Sequence, residues 1–148
     1  MNNKKGFTLI EVLIVVGIIG ILASIVLVGL GSSREQARDA RRVTDLRQTQ
    51  QGLELYYVKN QEYPSGLSDW DDLESTLQNA NLVNRIPRDP LNGHSQYEYC
   101  VDSSKQSYTL WAGLEGPKSP SLESDAQTEN VSGCSFSCTN DTDYCLQF

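Results

Sequence analysis

Apolar residues form one long uninterrupted run near the start of the chain, from residue 7 to residue 30, and recur periodically after it. The run holds 24 residues and a single charged side chain, Glu11. As a helix it would be about 36 Å long, at about 1.5 Å per residue, which is enough to cross a bilayer. The pattern therefore predicts a transmembrane helix over residues 7–30, with one carboxylate that needs a partner.

The helical pattern continues beyond the apolar run. Over residues 31–58 there is no proline, and apolar positions recur at helical intervals, which predicts a soluble half of the same helix. The predicted apolar face consists of Ala37, Ala40, Val43, Leu46, Leu53 and Tyr57. The opposite face should be solvated and carry ion pairs three or four residues apart, at Glu35–Arg38, Asp39–Arg42 and Arg41–Asp45.

The residues that open the apolar run, Gly6-Phe7-Thr8-Leu9-Ile10-Glu11-Val12-Leu13, resemble the prepilin signature of type IV pilins and type II secretion pseudopilins. The resemblance implies that prepilin peptidase removes residues 1–6 as a leader by cutting between Gly6 and Phe7. It also implies that the new N-terminus at Phe7 is methylated. Glu11 would then pair with the N-terminal amine of a neighbouring subunit during filament assembly. The implied fold is type IV pilin-like.

Residues 59–148 are expected to form a globular head. Ser68 should cap a short helix with acidic residues in its first turn and apolar residues along one face. The alternating segments Gln96–Val101 and Ser107–Gly113 predict an antiparallel hairpin that covers the apolar face of the long helix. The predicted fold class is therefore α+β, with a small antiparallel sheet packed on the C-terminal half of the stem.

Charge is distributed unevenly along the chain. Residues 1–59 carry eight basic and five acidic side chains, whereas residues 60–148 carry four basic and fourteen acidic ones, for a net charge of −7. An acidic head repels nucleic acid, so no direct nucleic-acid partner is expected.

All four cysteines lie beyond residue 99, which suits two disulfides in an oxidising compartment. Together with the prepilin signature, they predict a head outside the cytoplasm. The positive-inside rule favours the opposite topology, because five arginines follow the apolar run and only Lys4 and Lys5 precede it.

The cysteines show no C-x-x-C spacing of the kind that would indicate a zinc site. Four cysteines allow three pairings, of which proximity favours Cys138–Cys145 with Cys100–Cys134, giving a disulfide-stapled tail over residues 134–148.

The proline-pinned segment Pro87-Arg88-Asp89-Pro90 resembles in part the stretch that precedes the sheet in G-type pseudopilins. Those proteins usually continue with tryptophan and glycine, where this chain has leucine and asparagine. The resemblance implies that the acidic loop over residues 115–133 could bind calcium, with Glu123, Asp125 and Glu129 as oxygen ligands. Their spacing matches no fixed calcium motif, so a solvated loop without metal or other cofactor is favoured.

No catalytic arrangement is visible in the sequence: there is no nucleophile–base pair and no phosphate-binding loop, and His94 is the only histidine. We therefore expect a structural subunit that polymerises through its N-terminal helix into a type IV pilus or a type II secretion pseudopilus. Its expected partners are copies of itself, prepilin peptidase, the inner-membrane assembly machinery and, before assembly, the lipid bilayer.

The expected location is the inner membrane, with a single pass, and then a surface pilus or an envelope pseudopilus. One alternative is a membrane-anchored monomer that displays its acidic head as a binding module, which would leave Glu11 without a use. A secreted enzyme released by signal cleavage is a further alternative, and the missing catalytic site argues against it.

Overall fold

A computed structural model of the chain describes residues 6–91, 97–117, 133–136 and 138–148, without the side chains of residues 26–30. The chain divides into two compact units, Met1–Glu35 and Gln36–Phe148. The predicted α+β class is confirmed. In chain order the elements are α1 (Leu9–Asn60), α2 (Trp70–Asn79), β1 (Glu98–Val101), β2 (Tyr108–Gly113) and β3 (Asp143–Gln147).

Helix α1 is continuous over 52 residues and joins the two halves that the sequence predicts separately. It begins at Leu9 rather than Phe7, because Thr8 stands before the first turn with its hydroxyl accepting the Glu11 amide hydrogen at 3.3 Å. It ends at Asn60, after which Gln61 adopts a positive φ of 61°. Such a left-handed residue commonly ends a helix.

In the first unit, the described large apolar side chains from Phe7 to Ile25 are all half exposed or more. The predicted membrane segment, 7–30, includes residues 26–30, whose side chains lie outside the described part of the chain. Within the described residues, no helix combines the length and the apolar character that a membrane span requires.

In the second unit, three strands form one antiparallel sheet in the order β1-β2-β3. The predicted hairpin is present as β1 and β2, although β1 begins at Glu98 and residues 92–96 lie outside the described residues. Strand β3 lies within residues 134–148, which are predicted only to be a disulfide-stapled tail, without a strand. Four consecutive residues of β3 are buried, so it lacks the alternation by which a half-exposed strand is recognised.

The core of the second unit lies between α1, α2 and the sheet. Val43, Leu46 and Leu53 are buried in it, as the apolar stripe predicted. Ala37 and Ala40 are exposed, so the first part of the predicted stripe is wrong. The face that is buried there carries charged residues instead.

Helix α2 is capped by Asp69 rather than Ser68. The Asp69 carboxylate accepts the Asp72 amide hydrogen at 2.9 Å, and the Asp72 carboxylate accepts the Ser68 amide hydrogen at 2.9 Å. This reciprocal pair fixes the helix start one residue later than predicted, at Trp70. Trp70, with Leu73 and Leu77, then faces the core as expected.

Candidate functional site

The first candidate site is the start of α1. Gly6, Phe7 and Thr8 precede the helix, and the Phe7 side chain is 85% exposed. The Thr8 amide and hydroxyl both donate to Glu11 Oε2, at 2.9 and 2.8 Å. Because the Thr8 hydroxyl also accepts from the Glu11 amide, these two residues form a capping box.

The capping box gives Glu11 a partner within its own chain. Sequence reasoning treated this acid only as a partner for another subunit, although the spacing of Thr8 and Glu11 is the usual signal for a capping box. Both Thr8 donors reach the same oxygen, Oε2. The site can therefore hold a carboxylate beside the exposed Phe7 backbone with one oxygen bound in place.

The second candidate site is a buried ion cluster centred on Arg42, whose side chain is fully buried. Its guanidinium donates to Asp39 at 2.6 Å and to Glu115 at 2.8 Å. It also binds both carboxylate oxygens of Asp89, at 2.7 and 3.1 Å. Arg38 donates to Glu115 as well, through Nε at 2.6 Å and through Nη2. The cluster therefore ties the proline-pinned segment and the end of β2 to α1.

Asp39 adds a backbone contact to this cluster. Its carboxylate accepts the amide hydrogens of Glu115 at 3.0 Å and Gly116 at 3.2 Å, just after β2. A guanidinium out of water is costly unless carboxylates surround it, and here three of them do. The first residue of the predicted acidic loop, Glu115, is thus part of the ion cluster rather than a solvated side chain.

The cluster corrects the predicted solvated face of α1. Asp39–Arg42 is a buried pair, because this face turns toward the sheet and not toward water. Arg41–Asp45 is present at 3.8 Å, but Asp45 is buried and accepts the Tyr97 hydroxyl at 2.8 Å. Arg38, expected to pair with Glu35, binds Glu115. The sequence does not predict the contact of Tyr97 with Asp45 or that of Glu115 with Arg38, because the two residues of each pair lie far apart in the chain.

The environment shifts several pKa values in this region. Hydrogen bonds from Arg38, and then from Arg42, lower the pKa of Glu115 from 4.5 to about 2. Burial works against the charge of Arg42, yet hydrogen bonds to its three carboxylates raise its pKa overall. Burial raises the pKa of Asp45, although the hydrogen bond from Tyr97 opposes this. The shifts of Glu115 and Arg42 therefore both favour the charged form of the ion pair between them.

The remaining predicted site residues concern disulfides and metals. The structure contains the disulfides Cys100–Cys134 and Cys138–Cys145, the pairing that proximity favoured. His94 and the calcium candidates Glu123, Asp125 and Glu129 lie outside the described residues. Within the described ranges, no group of three or more potential metal ligands is present. Asp71 is paired with Arg88 at 2.7 Å.

Two protein families match the chain. Residues 1–27 match the prokaryotic N-terminal methylation motif, and residues 30–128 match protein G of the type II secretion system. The chain belongs to the type II secretion protein G family. No solved structure matches it significantly. The members of this family, and the related pilins, are structural subunits rather than enzymes, as the absence of a catalytic arrangement in the sequence suggested.

Curated members of this family and a pilin are similar to the chain over most of its length. Type II secretion system core protein G of Vibrio cholerae is 33% identical over 128 residues, covering 78% of this chain and 86% of that protein. The type IV wide pilus major component PilA4 of Thermus thermophilus is 32% identical over 111 residues, covering 75% and 81%. Core protein G of Pectobacterium carotovorum is 37% identical over 97 residues, covering 60% and 62%. The predicted resemblance to pilins and pseudopilins is confirmed.

The cluster predicts a large effect for Arg42→Leu. Removing the guanidinium leaves three carboxylates close together without their buried counter-ion, which should lower the free energy of unfolding by about 3–5 kcal/mol. Chemical denaturation of the purified chain in detergent measures this. The matched control is Arg41→Leu, whose side chain is 64% exposed, and which should cost about 0.2–1 kcal/mol. Equal effects of the two substitutions would contradict the central role of Arg42.

The lowered pKa of Glu115 predicts a pH dependence of stability. A carboxyl whose pKa is lower in the folded state stabilises the fold above its unfolded pKa and loses this contribution as the pH falls. The difference in unfolding free energy between wild type and Glu115→Gln should therefore shrink as the pH drops from 4.5 toward about 2. Asp45, with its raised pKa, acts with the opposite sign in both proteins and cancels in the difference. A difference independent of pH would refute the assignment.

Proposed function

We propose that the chain is a pilin or pseudopilin subunit that is processed by prepilin peptidase and polymerises through α1. Before assembly it is anchored in the cytoplasmic membrane by a single span, and it enters a type IV pilus or a type II secretion pseudopilus with the inner-membrane assembly machinery. The matches to the methylation motif and to protein G support this proposal. No cofactor is required.

The observation that carries the proposal is the exposed apolar start of α1. Large apolar side chains are exposed all round the helix from Leu9 to Ile25. Apolar surface in water is unfavourable by about 25 cal/mol per Å², so a helix that is apolar on every side needs to be covered. Lipid would cover it before assembly and the same segment of neighbouring subunits would cover it afterwards.

Glu11 then sets the register between neighbours. Cleavage after Gly6 would create an ammonium on Phe7, next to the Thr8 amide that holds Glu11 Oε2. A neighbour shifted along the helix axis can bring its Phe7 ammonium to this carboxylate, and pairing offsets the cost of placing either charge in an apolar surrounding. The Thr8 donors hold the carboxylate in position until the neighbour arrives.

The two disulfides support an extracytoplasmic head, since such bonds form and persist in oxidising compartments. The second candidate function is a membrane-anchored monomer with a displayed binding head. The capping box favours this second function, because it gives Glu11 hydrogen-bond partners within a single chain. The two functions differ in whether the charge of Glu11 matters or only its hydrogen bonds.

Substituting Glu11 separates these two functions. Gln retains the capping hydrogen bonds but removes the charge, whereas Ala removes both. If the carboxylate pairs with an ammonium, Glu11→Gln and Glu11→Ala should both reduce sheared filaments by more than about tenfold, with membrane-fraction levels unchanged. Electron microscopy and immunoblots measure both quantities. An absence of filaments from wild-type cells would favour the monomer, and wild-type filament levels from Glu11→Gln cells would contradict the pairing of Glu11 with an ammonium.

Processing gives an independent prediction. Mass spectrometry of the assembled protein should show an N-terminus at Phe7 that is heavier by one methyl group. A residue without a Cβ at position 6 allows the peptidase to approach the backbone closely. In a strain that lacks the peptidase, residues 1–6 should be retained. An intact Met1 in wild-type cells, or an N-terminus beyond residue 20, would contradict the proposed processing.

A further inference from the structure

The two disulfides differ in their access to solvent. Cys138 and Cys145 are 2% and 0% exposed, and Cys145 lies within β3, opposite Trp111 in the central strand. Cys100 and Cys134 are both only half-buried. Thiol–disulfide exchange requires a thiolate to reach a sulfur atom in line with the bond that breaks, so access determines which disulfide reacts in the folded state.

A cavity of about 390 Å³ opens beside the more accessible disulfide. Cys100 lines it from β1, and Trp70 and Tyr97 line it from the core side. The segment 133–136, which contains Cys134, also lines it, through Gly133, Ser135 and Phe136. The disulfide between Cys100 and Cys134 therefore joins two segments that line one cavity.

We propose that the Cys100–Cys134 disulfide is redox-sensitive and holds segment 133–136 in the wall of this cavity. A small dithiol opens it in the folded protein while Cys138–Cys145 stays oxidised, and segment 133–136 then leaves the cavity wall. This property belongs to the head and is independent of the proposed filament function, so either can fail without the other.

The exchange has two steps. A thiolate of the dithiol attacks one sulfur of the Cys100–Cys134 bond, which breaks, and a mixed disulfide forms while the other cysteine leaves as a thiolate and takes up a proton. The second thiolate of the reagent then attacks its own sulfur in the mixed disulfide. The products are two cysteine thiols in the protein and one cyclic disulfide, so the protein gains two electrons and the reagent loses two.

Reduction of the Cys100–Cys134 disulfide should alter the surroundings of two tryptophans. Trp70 is 6% exposed, lines the cavity and packs against Tyr97, with ring centroids 5.4 Å apart. The ring centroids of Trp111 and Phe136 are 6.3 Å apart, and Phe136 belongs to the segment that is released. Trp70 would become accessible to small molecules that the wall now excludes. The Cys138–Cys145 bond would remain closed, and β3 would remain paired with β2 in the sheet.

The test uses the full chain, purified in detergent and exposed to dithiothreitol without denaturant. Free thiols are blocked at successive times with one alkylating reagent, the remaining disulfides are labelled with a second after unfolding, and peptides are quantified by mass spectrometry. We expect Cys100 and Cys134 to be blocked at least about tenfold faster than Cys138 and Cys145. In urea the two pairs should react at similar rates, because the difference comes from the fold.

A second measurement follows the cavity wall. In a Trp111→Phe background, acrylamide quenching of Trp70 fluorescence should rise when the Cys100–Cys134 bond is reduced. The double variant Cys100→Ser/Cys134→Ser should show the same raised quenching without dithiothreitol, while its circular dichroism stays that of the wild type. Equal rates for both disulfides in the folded chain, or faster reduction of Cys138–Cys145, would overturn the proposal. Quenching of Trp70 that stays unchanged after selective reduction would overturn it as well.

Discussion

The head of this protein depends on one buried guanidinium. Arg42 is fully buried on α1, and its hydrogen bonds reach a residue one turn earlier, a segment 47 residues later and a segment 73 residues later. Desolvating one cation is unfavourable, and only carboxylates with good geometry offset that cost. Asp39, Asp89 and Glu115 provide this geometry together, so the three segments are held in register by one side chain. Removing Arg42 leaves three carboxylates with Arg38 as their remaining cationic partner in the cluster.

Other carboxylates of α1 bind buried tyrosines of the core in a related way. Asp45 accepts the hydroxyl of Tyr97, and Glu54 accepts the hydroxyls of Tyr63 and Tyr108 at 2.9–3.2 Å. Each tyrosine buries its ring in the core while its hydroxyl finds a charged acceptor, which is the usual arrangement for buried tyrosine. The helix therefore contributes specific polar contacts in addition to Val43, Leu46 and Leu53. These contacts select one orientation of the helix against the sheet.

The start of α1 obeys a different constraint. Its large apolar side chains are exposed on every side in the single chain, so the fold of the chain itself leaves them uncovered. The side-chain hydrogen bonds that the structure shows there are local, between Thr8 and Glu11 and from the Ser24 hydroxyl to the Gly20 carbonyl oxygen. A segment of this kind suits the structural subunits to which the protein G family belongs, in which function resides in contacts between copies.

The sequence by itself determined the long helix, the short helix, the hairpin and the family, because each rests on residues that are near one another in the chain or on a short motif. It favoured the observed disulfide pairing through the proximity of Cys138 and Cys145. Tertiary structure decided the buried face of α1, where the predicted Asp39–Arg42 pair is buried and Arg42 also binds Asp89 and Glu115. It also decided strand β3, whose residues show no alternation and become a strand only by pairing with β2. These features depend on contacts between segments far apart in sequence, and no local pattern of polar and apolar residues encodes which distant carboxylate an arginine will meet.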